Sequence, residues 1–404
     1  MIKKITLWII GSLVVLVILR FGLALLFQPP EYVYRAVFWG DSDITDYEKF
    51  PTRTIQNSPP VFQFVENLSP ELFATIEVKT GIETRRADFD AFLEETGTTA
   101  FIVIQDDAIL YEQYFNDFQR DSWFTSFSMA KSFLSALIGI AIDEGYIGNV
   151  NDPIIQYIPE LSGRGLDNMT IRHLLTMSSG IRYRESEALD WLFSLSDDTL
   201  AYSYPKLRSL ALNLQRGDES VGEYFQYNDY NPIIVGLILE RATGMPVSDY
   251  LQEKIWKPLG MEYPATWSLD CEASGFEKMA TGLNARAMDY ARFGRLYLNH
   301  GNWNGTQIVP EQWVIDSTTP DSADTRPWLN FTDFPAQNGY YKYFWWGYQR
   351  ENGLYDYIAW GHLQQLIYIR PDQDLIMVRL GRELGPQLDW GLLLKDLANK
   401  LSQQ

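Results

Sequence analysis

Ser128-Met129-Ala130-Lys131 opens a long apolar run, and it is the first place where this chain offers covalent chemistry. In a helix, residues three apart lie one turn apart on a shared face, so a hydroxyl and an amine become neighbours. A serine is a weak nucleophile until a base takes its proton. A lysine amine can do so when uncharged, and burial beside Met129 and Phe133 pushes its pKa toward that state. The N–H groups of a helix N-terminus can hold the oxyanion that such an attack creates. The spacing is common by chance. Without further support, a serine N-cap and a solvated lysine account for it.

Support comes from two distant segments. Tyr227-Asn228-Asp229 stands directly before a helical pattern, and a phenol there can relay protons among serine, lysine and leaving group. Ala359-Trp360-Gly361-His362 precedes a β-rich run whose edge can supply a second oxyanion N–H. No G-x-S-x-G elbow occurs. Cys271 stands alone, no CxxC is present, and His173, His300 and His362 are far apart, so neither a metal nor a cofactor is expected. Asp41, Asp43 and Asp46 lack the glycine and terminal glutamate of a calcium loop and read as a solvated turn. His173 fits a structural place in a helix, and His300 an exposed turn. Trp345 and Trp346 suit either a cleft wall or the core.

These groups need rigid elements to hold them. Ala100–Gln105 and Ala108–Phe115 are β-rich runs joined by Asp106-Asp107, a hairpin signal. Met129–Ile142 has the length and apolarity of a buried helix. The middle of the chain alternates short helices and loops, including 170–180 and a helix over 231–244 with Asn231 as N-cap, Pro232 at its first position and Gly244 as its stop. Leu366–Arg370 and Leu375–Leu380 flank a PDQD turn, and an amphipathic helix over Leu388–Leu401 ends the chain. Strands at both ends with helices between predict an α/β (α+β) fold, one antiparallel sheet built from both chain ends, with a mostly helical subdomain inserted at about 145–270.

The 404 residues carry 46% hydrophobic and 21% charged side chains, a globular composition. Net charge is −19, and residues 1–27 hold only basic charges (Lys3, Lys4, Arg20), so the rest is more acidic still. Such a body repels phosphate backbones, which argues against a nucleic-acid partner. Residues 5–27 are long and apolar enough to span a bilayer, with Arg20 near the far interface. Lys3 and Lys4 in front favour an uncleaved anchor with the body outside the cytoplasm, on the periplasmic side of a bacterial inner membrane; a cleaved signal and secretion is the alternative. Residues 28–80 read as a connecting arm packed on a main domain over 81–404.

The order S-x-x-K, Tyr-x-(Asn), then a third motif on a C-terminal strand resembles the serine β-lactamase and penicillin-binding-protein superfamily. The class C β-lactamase-like serine hydrolases, a group that includes esterases and 6-aminohexanoate-dimer hydrolase, are most similar. The stretches NDPIIQYIPEL at 151–161, MTIRHLLTMSSGI at 169–181 and YNDYNPIIVGLILERATG at 227–244 share the resemblance. So do residues 284–314 and GHLQQLIYIRPD at 361–372. The likeness implies Ser128 as acyl-accepting nucleophile, Lys131 as base and Tyr227 as acid and base. It places the oxyanion hole at the N–H groups of Ser128 and a third-motif residue, His362 if the motif is Ala359-Trp360-Gly361; the other register is His362-Leu363-Gln364. Tyr183 is a cleft residue on the same analogy.

Two departures stand out. Asp229 replaces the family's asparagine, and serves as a substrate contact or a helix cap. The cationic third-motif residue that holds a β-lactam carboxylate is missing or altered, which argues against potent antibiotic hydrolysis. The expected reaction is cleavage of a small-molecule amide or ester through an acyl-enzyme, with no protein partner expected. An idle cell-wall-peptide-binding protein and a peptidoglycan carboxypeptidase using the same groups are the alternatives.

Overall fold

The computed structural model describes residues 28–80, 83–184, 196–383 and 388–402, with scattered positions between 11 and 26. The expected anchor at 5–27 falls mostly outside the described residues. Among the described residues, no helix is long and apolar enough to cross a membrane.

The main sheet is built from β1 (Val65–Glu66), β2 (Thr98–Gln105), β3 (Ala108–Tyr114), β4 (Gly339–Lys342), β5 (Trp345–Gln349), β6 (Tyr355–Gly361), β7 (Gln365–Arg370) and β8 (Leu375–Gly381). Their order is β4-β5-β6-β7-β8-β2-β3-β1. The C-terminal strand β8 pairs antiparallel with β2, Val378 opposite Ile102, so the two chain ends share one sheet as expected. One pair departs from that pattern: β1, from the connecting arm, runs parallel to β3. Asp106 and Asp107 both take positive φ (49° and 60°), the conformation a two-residue hairpin needs to follow the twist of β2 and β3.

Residues 100–104 of β2 are fully buried, because helices cover both faces of the sheet. Helix α4 (Ala287–Leu298) lies on one face, where a Cβ on Gly294 would come within 3.0 Å of Ile367 and Ile376; the contact requires glycine. Helix α5 (Trp390–Leu401) covers the other face, with Trp390 under the guanidinium of Arg379 at 4.1 Å. Ile376 and Arg379 point oppositely because strand side chains alternate.

Helix α1 (Phe89–Glu95) leads into β2, and helix α2 (Ala130–Asp143) is buried almost throughout and packs on α4 through Phe133 stacked on Phe293 at 3.6 Å. Helix α3 (Tyr230–Thr243) ends at Gly244 with φ 69°, the expected stop. Its start differs from expectation: Asn228, not Asn231, accepts the N–H groups of Tyr230 and Asn231. Asn231 instead turns inward onto the Met177 sulfur.

A second, four-stranded sheet was not legible in the sequence. It joins Thr52–Ile55 of the arm to Ala265–Ser268, then Leu283–Ala285, then Phe124–Thr125. The arm therefore extends both sheets. The turn at 41–46 also differs from a solvated loop, since the Asp46 carboxylate is buried and accepts from Lys49 and the Tyr202 hydroxyl.

Candidate active site

The small sheet sets the position of Ser128. Thr125 pairs with Asn284, and the Ser126 N–H donates to Leu283 O at 2.8 Å. The chain then turns sharply: Phe127, 1% exposed, has φ 43°. A bulky residue in the left-handed region costs on the order of 1–3 kcal/mol and persists only where its surroundings impose it. Ser128 follows on a single 3-10 turn that runs straight into α2. Its side chain is half-buried and open to a cavity.

Lys131 lies one turn on, as the spacing predicted, and is 1% exposed. Its Nζ donates to Ser128 Oγ at 2.7 Å and to Ala280 O at 3.0 Å. Asp229 Oδ1 sits 2.8 Å from the same nitrogen, an ion-pair contact without an aligned hydrogen bond. Three acceptors around one nitrogen are what an ammonium needs. This arrangement suits an ammonium better than the neutral amine expected from burial. Desolvation does push the pKa down, but the Asp229 charge, the neighbouring Tyr227 and hydrogen bonding outweigh it and hold the amine above its ordinary value.

Tyr227 places its ring 5.0 Å from the Lys131 ammonium. Burial raises the phenol's pKa, while the Lys131 charge and hydrogen-bonding contact with Lys131 and Ser128 draw it partly back. Its backbone is fixed by Asn330, which accepts from Tyr227 N–H and donates to Tyr227 O, both at 2.9 Å. Ser128, Lys131, Tyr227 and Asp229, separated by up to about a hundred residues, thus meet at one point.

The third motif closes the site. A Cβ on Gly361 would lie 2.3 Å from Ser126 O and 3.1 Å from Ser128 N, so β6 reaches the Ser128 turn only because glycine stands there. Gly361, of the Ala359-Trp360-Gly361 register, is the third-motif residue that lies against Ser128 N. The His362 ring is exposed and meets Phe127 edge-on at 5.3 Å. Leu363 and Gln364 both adopt positive φ (56° and 63°). Arg379 holds this strained turn, donating from one nitrogen to Leu363 O and Gln364 O at 2.9 and 3.0 Å. Fully buried, that guanidinium is pushed down to about 9 by desolvation.

The cavity at Ser128 measures about 340 Å³ and is walled by Tyr227, Phe331, Phe334, Trp346, Trp360 and Leu363 among others. Trp346 therefore faces the cleft, whereas Trp345 is fully buried against Tyr297 and Phe293 in the core. Tyr183 does not line the cavity; it lies behind, packed on Tyr230 and donating to Asp198. His173 has the structural place expected, its Nδ1 accepting the Thr170 N–H at 3.1 Å. Ala280, Asn330, Phe331, Phe334 and Arg379 were missed, because nothing near them in sequence marks a site, and Trp360 was named only as part of the third motif.

A serine one turn from a buried lysine, with a tyrosine and a glycine strand edge beside them, on a helix-covered antiparallel sheet, defines a serine β-lactamase or penicillin-binding-protein-like hydrolase. The comparisons agree: residues 86–392 match the family model described as Beta-lactamase, and the chain belongs to that family. It is 31% identical over 313 residues to 6-aminohexanoate-dimer hydrolase of Paenarthrobacter ureafaciens, covering 74% of this chain and 76% of the relative. A structure assigned as a 6-aminohexanoate-dimer hydrolase from Bacillus anthracis superposes with TM-score 0.76 at 24% identity, covering 89% of this chain and 92% of that one. A class C β-lactamase from Rhodobacter sphaeroides gives TM-score 0.56 at 16% identity over 78% and 98% of the two chains, a likeness of fold. The protein is a serine hydrolase.

Proposed function

We propose that this hydrolase cleaves a small-molecule amide or ester through an acyl-enzyme on Ser128. The observation that carries the reading is the 2.7 Å contact between Ser128 Oγ and a Lys131 amine shut away from water. Lys131 first gives up to solvent water the proton it holds at rest. Ser128 Oγ then bonds to the substrate's carbonyl carbon while its own proton passes to Lys131. The oxyanion forms against the N–H groups of Ser128 and His362. The bond to the leaving group breaks as Tyr227 protonates it, and Lys131 restores the phenol's proton. Water repeats the sequence on the acyl-enzyme, releasing the acid and freeing Ser128.

Asp229 acts here on Lys131, in place of the amide recognition an asparagine would give. The absence of a lysine or arginine among the residues lining the described cavity supports substrates other than β-lactams. Turnover of a nitrophenyl ester tests the reading. More than one equivalent of product with wild type, and none above background with Ser128→Ala, is the expected result. A single equivalent would favour the alternative of an idle cell-wall-peptide-binding protein, a reading to which the ammonium state of Lys131 lends its weight.

The apolar stretch 5–27 behind Lys3 and Lys4 supports attachment to a membrane with the hydrolase body outside the cytoplasm. Protease added to spheroplasts, whose outer membrane has been opened, should then digest the body.

A further inference from the structure

The wall of the Ser128 cavity is aromatic. Trp346 lies at its centre, and the rings of Phe331, Phe334 and Trp360 approach it steeply inclined, at 5.2, 5.0 and 5.9 Å. The polar ends of two lining residues are spent on each other, since the Trp360 indole N–H donates to Gln364 Oε1 at 3.0 Å. None of the described lining residues is Asp, Glu, Lys or Arg. A charged group entering this space would lose its water and meet no carboxylate, lysine or arginine in return, only the Ser128 and Tyr227 hydroxyls, the Gln364 amide and the His362 ring.

Charges are present nearby but kept apart. A second cavity of about 500 Å³ lies beyond Trp328 and Tyr341 and is lined by Arg172, Arg326, Lys342, Asp321 and Asp324. The segment 319–338 divides the two: its Asp321, Asp324 and Arg326 face the charged cavity, and its Phe331 and Phe334 face Ser128. A cavity of roughly 150 Å³ lined by apolar side chains holds one benzene ring. The 340 Å³ at Ser128 therefore accommodates an aromatic ring with the scissile carbonyl still in reach of Oγ.

Building on the acyl-enzyme reading, we propose that the Phe331–Phe334–Trp346–Trp360 wall binds an uncharged aromatic group on one side of the scissile bond. The substrates this selects are neutral aryl esters or amides rather than compounds charged at both ends, as a 6-aminohexanoate dimer is. Ring guests meet the wall edge-to-face, the arrangement aromatic groups favour.

The test is a pH-stat comparison of kcat/KM for ethyl phenylacetate, benzyl acetate, ethyl acetate, monoethyl succinate and the ethyl ester of betaine. Each is normalised to its hydrolysis by hydroxide. One of the two aryl esters should exceed ethyl acetate about ten- to a hundredfold, the value of burying one ring. The anionic and cationic esters should not exceed ethyl acetate. Trp360→Ala should cut the aryl-to-acetate ratio about tenfold, and Phe331→Ala, at an exposed position, should cut it in the same direction if the tryptophan variant fails to fold. Equal rates for aryl and small esters, a charged ester matching the aryl ones, or an unchanged ratio in both variants would overturn the inference while leaving the acyl-enzyme intact. No turnover of any ester together with no Ser128 adduct would overturn both.

Discussion

Lys131 Nζ and Asp229 Oδ1 lie 2.8 Å apart, a buried ammonium facing a carboxylate that is only 19% exposed. The family's asparagine at that position would offer an amide and no charge. In this chain the residue sets a carboxylate against the amine that the proposed mechanism uses as its base.

The first prediction concerns pH. In the proposed mechanism Lys131 accepts the Ser128 proton only after losing its own, so activity should rise with pH through the lysine's titration. Asp229 raises that pKa and moves the limb upward. Asp229→Asn keeps the shape and removes the charge, so the acid limb of kcat/KM should move to lower pH. A limb that stays in place would show that Asp229 does not govern Lys131.

Gly361→Ala should cripple the enzyme without unfolding it. The added methyl would meet Ser126 O at 2.3 Å, pushing β6 away from the Ser128 turn. A misplacement of that size costs about a hundredfold in kcat/KM. Ester kinetics alongside a thermal melt would show the loss of rate outrunning the loss of stability.

Arg379 is a buried cation whose role is to hold carbonyls. Besides Leu363 O and Gln364 O it donates to Thr96 O at 2.9 Å and Thr98 Oγ1 at 3.1 Å. Arg379→Met removes a costly buried charge but strands those acceptors, each worth about 1–3 kcal/mol when left unpaired. Urea denaturation should show a net loss of stability. Turnover should fall further than stability does, because the strained Leu363-Gln364 turn lines the cavity.

Legibility in the sequence followed range. Ser128 and Lys131 are neighbours along one helix, so spacing alone placed them. The β2–β3 hairpin and the Gly244 stop were likewise local signals. Asp229 was noticed as a departure, yet its pairing with Lys131 depends on how α2 and α3 pack, which no local pattern reports. Ala280 acts through a backbone carbonyl that any residue could offer, and Asn330 through a side-chain amide that meets the Tyr227 backbone from about a hundred residues away. Trp345 and Trp346 looked alike in sequence because both are large and apolar. Successive strand residues face opposite sides, so one had to enter the core and the other the cleft once β5 was fixed.

Lys278 gives a stability prediction independent of catalysis. Its ammonium is buried over the rings of Phe50 at 4.0 Å and Tyr202 at 4.1 Å and donates to Tyr202 O. Desolvation, aided by Arg35, lowers its pKa from 10.5 to about 7. Between those values the unfolded chain binds a proton that the folded protein does not, so stability should rise with pH across that window, by up to about 1.4 kcal/mol per pH unit from this group. Below pH 7 its full cost is present. Lys278→Met should lack this slope, and urea melts of the two proteins at pH 6 and pH 9 would show the difference.

The most direct measurement is mass spectrometry of the protein after reaction with an active-site phosphonate ester. The account predicts one adduct, on the peptide bearing Ser128, formed faster as pH rises through the Lys131 titration and absent from folded Ser128→Ala. An adduct on another residue, or undiminished labelling of that variant, would contradict it.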